Sequence, residues 1–235
     1  MQKHHRCDLA LALQTSSKPI FFTPDNVPWK LASAREAVLP LHEMKITNDF
    51  QIDTQIFLDG LDSQLAAVWT AMSQFCSLVN DAVERDMHLI VDQVFLSSMG
   101  SIMYRLLHFR FKAGSLDETV RLALVAFCSP IFLQWQNIKL VDPSLAHNYR
   151  KSLAGLNALR CGATPGAFLW LMMIGGTSIF HEPDDIAWLK TWLRRTIKLC
   201  SISSWDQMRD ILNSFLWIGL IYDKPGQDFF KNCVH

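Results

Sequence analysis

Apolar residues return at intervals of three and four over most of this chain, the period of a helix that buries one face. Leu61, Leu65, Val68, Met72, Phe75 and Val79 form one such stripe, opposed by Asp62, Gln64, Ser73 and Gln74, and they predict a helix. Asn80 or Asp81 fits the capping position of a second helix, because a short polar side chain can accept the free backbone N–H groups at a helix start. In that second helix Val83, Met87, Ile90, Val91 and Val94 would be buried, with Asp81, Glu84 and Arg85 wet. The pattern runs on through Met99, Met103 and Leu106, with Gly100 as a kink or close-packing point.

Phe109 to Gly114 reads as a connection, after which Ser115 and Glu118 have the spacing in which each side chain satisfies a free amide at a helix start. From Leu116 through Phe127 only Asp117, Glu118 and Arg121 are charged, and a helix apolar on most sides is predicted to lie inside a bundle. Ser129-Pro130 is expected to interrupt it, since proline lacks a backbone donor and disfavours helix at the residue before it. The chain then resumes through Phe132 and Trp135. Leu145, Tyr149, Leu153 and Leu156 mark a further helix, with Arg150, Lys151 and Asn157 outward. Pro183 and Asp184 open the next at positions that favour them, and Ile186, Leu189, Leu193, Ile197 and Cys200 form its stripe. Ser204 and Gln207 repeat the capping arrangement for a last helix, with Trp205, Met208, Leu212, Phe215 and Leu216 inward.

Residues 1 to 54 are patterned differently. Pro19, Pro24, Pro28 and Pro40 break any periodicity before it establishes. Phe50, Ile52, Thr54 and Ile56 alternate as a strand would, but no downstream run could pair with them, so they read as extended chain or the start of a helix. The sequence therefore predicts a loosely ordered lead-in over residues 1–54 and a helical domain over 55–235. The fold class is all-α, a multi-helix bundle of seven to eight helices with apolar central helices.

Composition agrees with a folded core: half of the 235 residues are apolar and only 19% are charged. Lys plus Arg equals Asp plus Glu at 22 each, so no global field draws in a phosphate backbone or an anionic lipid surface. Direct nucleic-acid binding by this chain is not expected, and Arg194, Arg195 and Lys198 read as a solvated helix face. Cys161 to Phe180 carries no charge over a length that could span a bilayer. Its glycines, Pro165 and the short apolar run Ala167–Ile174 point instead to a buried core helix, and no membrane association is expected. The apolar run Leu9–Leu13 is too short for a signal-peptide core.

No catalytic, cofactor-binding or metal-binding set assembles from the sequence. The six cysteines, Cys7, Cys76, Cys128, Cys161, Cys200 and Cys233, include no C-x-x-C pair, and Cys76, Cys128 and Cys200 read as small buried hydrophobes in a reducing compartment. His181-Glu182-Pro183-Asp184-Asp185 is the densest group of metal-ligand types. Adjacent aspartates point to different sides, however, and acidic residues at a helix start are explained by the backbone dipole. His4, His5, Cys7 and Asp8 sit in the unpatterned lead-in, and His42-Glu43 and His147 lack partners at helical spacing. Gly175-Gly176 lacks the lysine and glycine spacing of a phosphate loop. The eight tryptophans suit a core whose indole N–H groups need acceptors.

From about residue 95 the order of features resembles the carboxy-terminal helical regulatory region of fungal-specific transcription factors, the zinc-cluster family. The pieces are Tyr104-Arg105-Leu106-Leu107, Leu116 to Ala123, Phe132-Leu133-Gln134-Trp135, Phe168 to Gly176, Trp188-Leu189, Ser204-Trp205 and Phe215-Leu216-Trp217-Ile218. The family's six-cysteine DNA-binding cluster has no counterpart here, so no zinc ligand carries over. The resemblance implies a nuclear, non-catalytic regulatory domain without its own DNA reader. It would answer to a small-molecule effector, to protein partners of the transcription machinery, or to a homodimer partner. An all-helical enzyme on an apolar substrate and a non-transcriptional interaction scaffold remain the alternatives.

Overall fold

A computed structural model describes residues 48–85, 93–133, 143–156 and 163–234. Among these residues there are nine helices and no strand, so the chain is all-α. In chain order they are α1 (Asn48–Asp59), α2 (Ser63–Glu84), α3 (Gln93–His108), α4 (Leu116–Leu133) and α5 (Pro143–Gly155), then α6 (Pro165–Ser178), α7 (Pro183–Leu199), α8 (Trp205–Ser214) and α9 (Gly219–Val234).

The count exceeds the predicted seven to eight at the two ends of the helical region. Phe50 to Ile56 belongs to α1, whose Phe57 is fully buried, so the strand-like alternation there is helix. This helix runs through residue 54, where the lead-in is predicted to end; residues 1–47 lie outside the described residues. The other addition, α9, follows the helix that the sequence marks as last. It continues through Pro225, a residue that ordinarily ends a helix.

Side-chain caps account for four of the starts. Asp62 accepts the N–H groups of Gln64 at 2.9 Å and Leu65 at 3.3 Å to begin α2. Ser115 accepts Glu118 N at 3.2 Å before α4, and Thr164 accepts Ala167 N at 3.3 Å before α6. The α8 cap is shifted: Ser204 accepts Gln207 N at 3.3 Å, while the Gln207 side chain reaches Ser203 N, one residue further back, at 2.8 Å.

Three expectations are corrected. Asn80 and Asp81 start no helix, because α2 runs unbroken to Glu84 and Val83 is exposed rather than buried. Met87, Ile90 and Val91 lie outside the described residues. Pro130 does not interrupt α4, which continues to Leu133. The proline falls in the last turn, where it forfeits a single ladder bond, and Ser129 Oγ donates to Val125 O at 2.8 Å beside it. Gly100 is not a close-packing point, since a Cβ there would meet nothing within 4 Å.

The uncharged segment is α6. Every residue from Gly166 to Gly175 is buried, and the helix touches α1, α4, α5, α7, α8 and α9. Enclosure on all sides explains its lack of both charge and amphipathic pattern. Among the described residues no helix is long and apolar enough to cross a membrane.

Candidate functional site

Among the described residues, the segment between α8 and α9 is a non-helical stretch tied to the body of the protein by several side-chain hydrogen bonds. Phe215, Leu216, Trp217 and Ile218 are all buried, and buried backbone outside a helix needs partners from elsewhere. Three helices supply them. Thr54 Oγ1 of α1 donates to Ser214 O at 2.9 Å. The Trp170 indole of α6 donates to Leu216 O at 2.7 Å. Asn80 of α2 donates through Nδ2 to Trp217 O at 2.8 Å, and its Oδ1 accepts Gly219 N at 3.1 Å.

Aromatic rings fill the space behind this corner. Trp69 lies edge-on to Trp170 at 4.8 Å and to Phe57 at 5.0 Å, and Phe57 meets Phe215 at 5.7 Å. Tyr222 stacks on Phe127 at 5.0 Å and donates to Phe127 O. The Trp217 indole donates to Asp223 Oδ1 at 2.8 Å, while Asp223 Oδ2 pairs with Arg209 at 3.1 Å. The Trp170 and Trp217 indoles are occupied by acceptors within the protein, so these two tryptophans are core supports with their polar edges satisfied. Burial holds the Cys76 and Cys128 thiols and the Tyr222 phenol well above their ordinary ranges. None of them supplies a charged nucleophile near neutrality.

A second junction lies at the start of α6. The Asp53 carboxyl of α1 sits against the Gly166 N–H, where a helix start favours negative charge. Burial outweighs that bond and raises the carboxyl above the usual range. Cys200, which closes α7, is half-buried rather than buried as expected, and both burial and Asp53 raise its thiol. Cys233 is buried, and its thiol is pushed up to about 11.

Among the described residues, those singled out as metal-ligand types do not converge. His181, Glu182 and Asp184 are exposed, and Asp185 is engaged by Arg150 of α5. Among the described residues no three histidine, cysteine or acidic side chains are grouped to hold a metal. His147 is exposed on α5. His4, His5, Cys7, Asp8, His42 and Glu43 lie outside the described residues.

Above the Arg150–Asp185 pair a line of rings runs from core to surface. Buried Tyr149 stacks on Phe180 at 5.7 Å, Phe180 meets Trp188 edge-on at 6.3 Å, and Trp188 meets Trp192 at 6.1 Å. The Arg150 guanidinium lies 5.3 Å from the Trp188 ring centre. Neither this line nor the Asn80 clamp was visible in the sequence, because both depend on contacts between helices distant along the chain. No protein-family model, curated protein or solved structure matches the chain.

Proposed function

We infer that the chain is a non-catalytic helical regulatory domain of the fungal zinc-cluster transcription factor type, acting in the nucleus without its own DNA-binding module. In this reading α4 and α6 form the apolar centre of the bundle. Protein partners or a second copy, together with a small-molecule effector, set its output. No cofactor or metal is required, and neither nucleic acid nor membrane is contacted directly.

One observation supports the reading: several of the sequence pieces behind the resemblance touch one another in space. Arg121, in the Leu116–Ala123 piece, donates to Leu106 O in the Tyr104–Leu107 piece at 2.9 Å. Trp170, in the Phe168–Gly176 piece, donates to Leu216 O in the Phe215–Ile218 piece at 2.7 Å. Trp205 of the Ser204-Trp205 piece packs on Trp217 at 6.3 Å. Contacts of this kind are what the working parts of one shared fold would make.

The test is a tether. The full chain is fused to an unrelated DNA-binding domain and a reporter is read in a fungal host. A reproducible rise or fall over the tether alone is the expected result. An unchanged reporter, with the fusion folded and nuclear, would remove the transcriptional reading.

A further inference from the structure

We draw no further inference here: the strongest candidate, the apolar surface patch that Trp192 and Leu199 leave on α7 at 37% and 79% exposure, carries nothing because nothing among the described residues shows what covers it.

Discussion

Asn80 and Trp217 are 137 residues apart in sequence and joined by a 2.8 Å hydrogen bond from the Asn80 side chain to the Trp217 carbonyl. The same carboxamide accepts Gly219 N, so one side chain satisfies the backbone on both sides of Ile218. Replacing it by alanine leaves a carbonyl and an N–H without their partner in a buried corner. Asn80→Ala should cost about 2–3 kcal/mol, read as a lower urea midpoint with an unchanged slope.

Asn80→Asp separates the two bonds. The carboxylate keeps an acceptor for Gly219 N but turns a second oxygen toward the Trp217 carbonyl. Repulsion and burial raise the folded-state pKa of that carboxyl, so the folded protein binds the proton more tightly than the unfolded chain does. The deficit should be largest at neutral pH and shrink as pH falls into the carboxylate range, where a carboxyl O–H can donate. A deficit independent of pH would remove this account of the clamp.

The native carboxyl Asp53 has the same sign. Its folded pKa is raised by burial, so the folded state holds the proton more tightly and stability contributed by this group falls as pH rises through the window just above the ordinary carboxylate value. An amide oxygen at this position still accepts the Gly166 N–H without charge. Asp53→Asn should match or exceed wild type in melting temperature at pH 7, and lose the advantage below the carboxylate range. A variant less stable than wild type at pH 7 would show that the charge at the start of α6 is worth more than its desolvation.

Two glycines in helices should respond oppositely to alanine. A Cβ on Gly226 would sit 2.8 Å from Trp205 and 2.9 Å from Trp217, whereas one on Gly100 meets nothing within 4 Å. Both substitutions gain the same backbone term. Gly100→Ala should therefore stabilise by about 0.5–1 kcal/mol, while Gly226→Ala should lose about 1–3 kcal/mol through overpacking. Chemical denaturation of the two variants reads the contrast directly.

These positions also show what the sequence could and could not reveal. The stripe Leu65 to Val79 and the series Leu145, Tyr149, Leu153 and Leu156 were legible because each helix buries one face, which leaves a periodic trace. Pro225-Gly226 reads locally as a stop, yet α9 passes through it, because Gly226 lets Trp205 and Trp217 approach and the packing outweighs the local penalty. Asn80 reads locally as a cap because its side chain can bond backbone. It does bond backbone, but of a segment 137 residues further along the chain. The resemblance pieces were legible as words, and their contacts, such as Trp170 to Leu216, were not.

Arg121 offers the sharpest test of such contacts. It makes a two-pronged pair with Glu118, at 2.8 and 2.7 Å, and uses its remaining nitrogen to cap Leu106 O near the end of α3. The guanidinium fork suits this arrangement and an ammonium does not. With Arg121 buried, its removal leaves both a carboxylate and a helix-end carbonyl short of a partner. Arg121→Ala should cost about 3 kcal/mol, and Arg121→Lys should recover less than half of it. Glu118→Gln in the Arg121→Ala background should cost almost nothing further, since the charge it neutralises already lacks its partner. A double-mutant cycle on chemical denaturation measures this coupling, and additive losses would mean that the pair contributes nothing beyond its separate side chains.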